Sequence, residues 1–376
     1  MPSAANPKLV VPATPYAAAS AVVSAATAAT STRAATRTAA VALGLRCGVG
    51  GHLMRDRLVV QVPEGGAAID THLGQVAGRE VLVGFRVGPA RANRKPVLQM
   101  VTGRGVLVGY AKLGVNTLTD SLVAAEATAL TRLANVHLAG VRIPALLDAS
   151  TWQGHQLVVQ AALPVGRLGR PPAPAQTAAA MLAVAGAEGL SKVAVGALPW
   201  WTRTTAIVAA LPASDSAGRL SQIAHALAGR GDEVVQCGAW HGDWNPGNCA
   251  AGPGEVLVWD WERYETGVPV GFDALHLSLQ SRIGTGVDPL AAAGRLVADA
   301  PQLLAPFGVG TQARLVATLY LFGLGARYLH DDQAGAGAAV GRLDTWLLPT
   351  LEQLCATTAA GSARGRHASR LAEKER

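Results

Sequence analysis

Lysine is scarce in this chain: of 32 basic residues only five are lysines, at positions 8, 95, 112, 192 and 374. Each lysine inside a folded region is therefore conspicuous. Charged residues make up 15% of the sequence and aromatics 5%, against 50% hydrophobic residues, which excludes a disordered polymer over most of the length. The four cysteines, Cys47, Cys237, Cys249 and Cys355, have neither metal-site spacing nor the density of a secreted disulfide scaffold. A reduced, cytoplasmic compartment is the expectation. Gly, Arg, Asp or Pro interrupts every apolar run well short of the roughly 20 residues of a membrane span, so none is expected. The formal charge of +7 comes from arginines scattered along the chain, not from basic stripes interleaved with aromatics. That pattern argues against specific nucleic-acid binding and leaves room for an anionic ligand.

Alanine and 43 glycines dilute the hydrophobic periodicity, so organisation is read mainly from turns and texture. Residues 1–54 form an Ala/Thr-rich extension, read as a loosely packed helix or tail. From 55 to 162 short β-rich runs at 58–62, 81–87, 97–101 and 106–111 predict strands, with Gly103-Arg104-Gly105 as a hairpin turn. A helix is predicted over about 121–133, with capping chemistry in Thr119-Asp120-Ser121. Two more strands are expected at 145–148 and 156–161 around the turn Trp152-Gln153-Gly154. A proline-rich hinge at 163–171 leads into a mainly helical region, 172–358, whose clearest helices lie at 220–228, 272–280, 291–298 and 313–328. A solvated basic tail, 359–376, closes the chain.

The informative segment is Trp240-His241-Gly242-Asp243-Trp244-Asn245-Pro246-Gly247-Asn248, followed by Val256-Leu257-Val258-Trp259-Asp260-Trp261-Glu262. Between them Ala250-Ala251-Gly252-Pro253-Gly254 can turn the chain back as a short hairpin and bring Asp243, Asn248 and Asp260 together. Carboxylate and amide oxygens of this kind suit magnesium, a hard cation usually shared with substrate phosphates.

This segment resembles the catalytic loop of the aminoglycoside phosphotransferase and choline kinase group of the protein-kinase-like superfamily: His-Gly-Asp, four residues, Asn, then an Asp-bearing strand. The resemblance implies an α+β, two-lobed protein-kinase-like fold, with a small N-terminal antiparallel-sheet lobe carrying one key helix and a larger, mainly helical C-terminal lobe. It implies ATP and Mg2+ as cofactors and a small-molecule hydroxyl compound as acceptor. Asp243 would accept or orient the proton of the acceptor hydroxyl, Asn248 and Asp260 would hold the magnesium, and His241 would buttress the loop. A kinase-like first lobe also needs a cationic strand residue and an acid on the next helix, which Lys112 and Glu126 supply.

The phosphate-covering loop departs from the pattern. Residues 88–96 hold neither Gly-x-Gly-x-x-Gly nor a Walker A motif. The segment is a candidate to cradle phosphates through backbone N–H groups and through the basic side chains of Arg94 and Lys95, with a solvated basic turn as the alternative. Asp273 either satisfies open helix N–H groups or supports the catalytic loop, and Glu262 has a supporting or peripheral metal role. Trp200, Trp201, Trp244, Trp261 and Tyr264 are candidates for core packing or for lining an acceptor pocket. Two other function classes remain open at this point: a catalytically weak kinase-like scaffold, and a metal-dependent phosphoester hydrolase built on His241, Asp243 and Asp260.

Overall fold

The computed structural model of the chain describes residues 9–25, 32–49, 56, 58–59, 61–62, 66–88, 90–165 and 170–357. The tail at 359–376 and parts of the extension and hinge lie outside these. Two compact units are formed, residues 1–183 with 243–264, and residues 184–242 with 265–376. The segment 243–264 thus groups with the sheet unit, not with the helical region in which the sequence reading put it.

In the first unit β1 (Leu9–Val10), β2 (Leu82–Arg86), β3 (Val97–Val101), β4 (Leu107–Leu113), β6 (Leu146–Trp152) and β7 (His155–Ala161) form an antiparallel sheet in the order β1-β2-β3-β4-β7-β6. The strand expected at 58–62 does not form at its described residues, and Leu58 and Val59 stay 69% and 79% exposed. The free edge of β2 that such a strand could have paired with is taken by Leu9 and Val10.

Part of the N-terminal extension belongs to this core. Helix α1 (Tyr16–Ser24) packs Ala18 and Val22 against Val101, with Leu82 and Leu107 alongside. Its close approach depends on Gly84, where a Cβ would come within 2.6 Å of Val22. Helix α2 (Thr32–Arg46) follows, and α3 (Ile69–Ala77), absent from the sequence reading, packs Leu73 with Leu98, Met100, Ala111, Leu157 and Val159.

Helix α4 (Thr117–Leu133) starts earlier than the sequence suggests, because Asn116 is its cap: Thr119 N donates to Asn116 Oδ1 at 2.9 Å in a capping box. Asp120 is left to accept from Gln156 N at 2.9 Å, which ties the helix start to the β6–β7 hairpin. The short strands β10 (Cys249–Ala251) and β11 (Val256–Val258) form the expected hairpin, and β11 pairs in parallel with β5 (Val141–Arg142).

The chain leaves the first unit within α5 (Pro174–Ala185). In the second unit β8 (Ser191–Ala194), β9 (Val234–Trp240) and β12 (Glu265–Pro269) make a sheet in the order β12-β9-β8. The rest is mainly α6 (Pro199–Ala209), α7 (Asp215–Ala228), α8 (Phe272–Gly284), α9 (Pro289–Leu304) and α10 (Ala313–His330). Helix α10 is buried nearly all round, as its apolar composition requires. Trp200 stacks edge-on to Phe272 at 5.2 Å and Trp201 lies 5.5 Å from Phe322, so both are core aromatics. The overall class is α+β, with an antiparallel sheet dominating one unit and helices the other.

Candidate active site

Lys112 lies near the end of β4, between Val97 of β3 and Val158 of β7, and is buried. Glu126 falls on the same helical stripe of α4 as Leu122, Leu130 and Leu133, so a carboxylate is carried into an apolar face and is fully buried there. Such a group requires a partner. Lys112 Nζ lies 2.7 Å from Glu126 Oε1 and 2.6 Å from Oε2, and donates to Asp260 Oδ1 at 2.5 Å. The backbone N–H of Trp261 donates to Glu126 Oε1 at 3.3 Å. Asp260 has φ +72, a left-handed conformation that a non-glycine residue adopts at a cost and that concentrates at functional sites.

Burial pulls the Lys112 ammonium toward neutrality, but Asp260, then Glu126 and Glu262, more than offset it and hold its pKa above the ordinary lysine range. Burial likewise acts to raise Asp260, yet the ammonium groups of Lys112 and Lys95 outweigh it and lower the carboxyl, with Asp243 opposing them. Burial keeps Glu126 raised against the pull of Lys112. The signs set a pH profile. Stability from a raised lysine is complete below its unfolded value of about 10.4 and is lost only as pH climbs through the higher folded value. Stability from a lowered Asp260 is present above its unfolded value of about 3.9 and is lost as pH falls through the folded one. Urea midpoints should therefore hold between pH 8 and 10 as far as Lys112 is concerned, and Asp260→Asn should flatten part of the acid limb. A steep loss by pH 9 that Lys112→Met abolishes would contradict this assignment.

The turn before β10 positions the second group. Asn248 Nδ2 donates to Asp243 Oδ2 and to the Asp243 carbonyl, both at 2.9 Å, and Trp259 N donates to Asn248 O at 3.0 Å across the hairpin mouth. With both amide hydrogens of Asn248 engaged, its Oδ1 remains an acceptor. Asp260 Oδ2 likewise carries no hydrogen bond among the described residues. An amide and a carboxylate oxygen are hard donors of the kind that suits magnesium.

Lys95 and Arg94 part company. Arg94 is exposed and does not join the cluster, whereas Lys95 Nζ donates to Glu262 Oε2, whose Oε1 accepts from Asn93 Nδ2 at 3.3 Å. Carboxylate oxygens of Glu126, Asp260 and Glu262 lie within 4.8 Å of one another, so two lysines serve one group of three acids. The sequence named Lys95 and Glu262 separately, and no local signal joins residues 167 positions apart.

In the second unit His241 is fully buried, and its backbone N–H donates to Asp273 Oδ2 at 2.8 Å while that of Gly242 donates to Oδ1 at 3.1 Å. Asp273 therefore holds the loop, and Gly271 is the helix cap. Gly242, at φ +84, also accepts from Arg327 Nη1 at 2.6 Å. Arg327 went unnoticed in the sequence, where a lone arginine late in a helix carries no signal. Trp244 and Trp261 are fully buried, while Tyr264, 5.8 Å from Trp261, is half-buried.

Cys249, next to Asn248, is a core thiol: burial pushes its pKa up to about 11. At pH 8 the native protein should be alkylated at exposed Cys47 and spared at Cys249 until it unfolds. Mass spectrometry of tryptic peptides checks this, and rapid native labelling of Cys249 would contradict its burial.

No family model matches the chain, and no curated protein does. Among solved structures it is similar to a thermostable mutant of an aminoglycoside phosphotransferase in a ternary complex with ADP and hygromycin B, at 13% identity and TM-score 0.48, covering 77% of this chain and 98% of that one. It is also similar to an amicoumacin kinase complexed with AMP-PNP, Ca2+ and its ligand, at 14% identity and TM-score 0.42, covering 73% and 88%. A third is an aminoglycoside 2'-phosphotransferase in its GDP complex, at 12% identity and TM-score 0.42, covering 77% and 100%.

Proposed function

We propose that this chain is an ATP-dependent phosphotransferase that moves the γ-phosphoryl group to a hydroxyl of a small molecule of the sugar, amino-alcohol or aminoglycoside-like class. The observation that carries the reading is Lys112, a buried ammonium placed between Glu126 and Asp260, two acids that lie 14 and 148 residues away from it in the chain. A structural ion pair needs one carboxylate. A lysine held by two, on a sheet beside a metal-type donor set, is arranged to meet phosphate charge.

In this reading Lys112 contacts the α- and β-phosphates, and Glu126 fixes its ammonium. Lys95 supplies a second positive charge, and Arg94 stays exposed beside it in the 88–96 segment. Asn248 and Asp260 are the residues that would hold Mg2+, which when bound neutralises phosphate charge. Asp243 accepts or orients the acceptor proton, kept in place by the Asn248 amide. Asp273 and Arg327 fix the backbone of His241 and Gly242 immediately ahead of Asp243 in the chain, which gives His241 its buttressing place.

Calorimetric titration with ATP tests the nucleotide half of this account. Binding should strengthen when magnesium is added to the wild type and lose most of that magnesium response in Asp260→Asn. An unchanged magnesium response in that variant would contradict the metal role.

A further inference from the structure

Lys95 is given a phosphate to bind in the reading above, yet its ammonium already has an anion. The Lys95 and Glu262 side chains are 6% and 2% exposed, so this is a desolvated pair and not a surface contact. Glu262 stands two residues after Asp260, and its oxygens belong to the same group of acids that Lys112 serves. Lys95 also acts electrostatically on Asp260. Its ammonium is thus already at the centre, with a carboxylate as partner.

The segment that delivers Lys95 makes this placement matter. Between β2 and β3 the chain has Gly88 but no glycine series, and Pro96, which lacks an N–H, follows Lys95. A glycine-rich phosphate cradle is therefore absent, which gives the segment's own cations more weight. Among its side chains, Lys95 is the cation that the structure folds inward while Arg94 remains outside. Asn93 adds a second, neutral hydrogen bond to the same carboxylate, so the segment is fastened to Glu262 at two points.

We infer that Glu262 is an internal stand-in for a nucleotide phosphate: it holds Lys95 when the site is empty, and the polyphosphate of ATP displaces it by taking over the ammonium. The inference rests on the nucleotide reading above. Because the ammonium is already out of water, moving it from one anion to another avoids most of the desolvation that recruiting a solvated lysine entails. The exchange also makes Glu262 a competitor of the ligand. Apparent nucleotide affinity is lowered by the fraction of protein in which Lys95 is engaged with Glu262. Asn93 can keep its own bond to Glu262 through the exchange, so that the segment stays docked.

Competition and simple bracing give opposite signs, which a titration separates. ATP is titrated by calorimetry into wild type, Lys95→Met, Glu262→Gln and the double variant, in EDTA and again with magnesium. Lys95→Met should weaken binding by roughly tenfold, as expected for loss of one charge-assisted contact. Glu262→Gln should tighten it several-fold with or without magnesium, and the double variant should match Lys95→Met alone. Glu262→Asp keeps the charge but shortens the reach; it should tighten binding in the same direction and serves if the Gln variant folds poorly. Weakening by Glu262→Gln comparable to that of Lys95→Met would make the pair a static brace and overturn the exchange. So would tightening seen only with magnesium, or a Lys95→Met variant of wild-type affinity. A wild type that binds no ATP at all would instead remove the nucleotide reading on which the inference stands.

Discussion

Asp243→Asn is expected to lower acceptor-dependent phosphoryl transfer by about 10²–10⁴-fold, the span of general acid–base catalysis, with ATP affinity nearly unchanged. The geometry makes this a clean substitution. Asn248 Nδ2 donates to Asp243 Oδ2 at 2.9 Å and to the Asp243 carbonyl at the same distance. An asparagine at 243 can present its own amide oxygen to the first of these donors and leave the second untouched. The contacts with Asn248 are then kept while the ability to accept a proton is lost. The variant should melt within a few degrees of wild type, and its kcat should fall far more than KM for ATP rises. Steady-state kinetics on matched preparations measure this, and turnover within tenfold of wild type would remove Asp243 from its role.

The second large effect is expected at Lys112. Lys112→Met keeps the length of the stem and deletes the ammonium, leaving Glu126 fully buried with no cation and Asp260 without its hydrogen-bond donor. Breaking a buried pair by removing one partner typically destabilises by about 3–5 kcal/mol, because the remaining charge stays out of water. Activity should fall as well, on the order of 10²-fold in kcat, the loss that accompanies removal of one preorganised charge donor. These two consequences can be separated. In Lys112→Met with Glu126→Leu the orphaned carboxylate is gone and apolar groups fill its place, so the urea midpoint should recover much of the loss while activity does not. If the double variant regained both, the lysine would be a structural cation only. If neither single change altered kcat/KM, the nucleotide assignment would fail.

Some of this centre could be read from the sequence because its signals are local. His-Gly-Asp, Asn248 and Asp260 lie within 20 residues and are joined by a turn that glycine and proline announce. Lys112 and Glu126 lie on consecutive elements, where scarcity of lysine and the helical spacing of Glu126 with Leu122, Leu130 and Leu133 pick them out. Other features were hidden for physical reasons. Asn116 caps α4 because it hydrogen-bonds Thr119, and from composition alone the Thr-Asp-Ser run downstream looks equally able to do so. Residues 58–62 have strand-like texture, but pairing depends on an available edge, and Leu9 and Val10 occupy the β2 edge. The alanine-rich stretch around α1 looks weakly amphipathic, yet its small side chains suit the close contact at Gly84. The junction of Lys95 with Glu262, and that of Arg327 with Gly242, are products of tertiary folding across 167 and 85 positions.

Burial also changes the weight of the aromatic residues. Trp200, Trp201, Trp244 and Trp261 are all enclosed, which leaves half-buried Tyr264 as the member of that group with a surface to offer a ligand.

The most direct measurement is the fate of the γ-phosphoryl group. ATP labelled at the γ position is incubated with the protein and magnesium, with and without each member of a panel of sugars, amino alcohols and aminoglycosides. The account predicts label on an acceptor hydroxyl, dependent on that acceptor and lost in Asp243→Asn. Label released as free phosphate at the same rate with or without acceptors would indicate a hydrolase. ATP bound but recovered intact across the panel would indicate a nucleotide-binding scaffold, and either result would contradict the central claim.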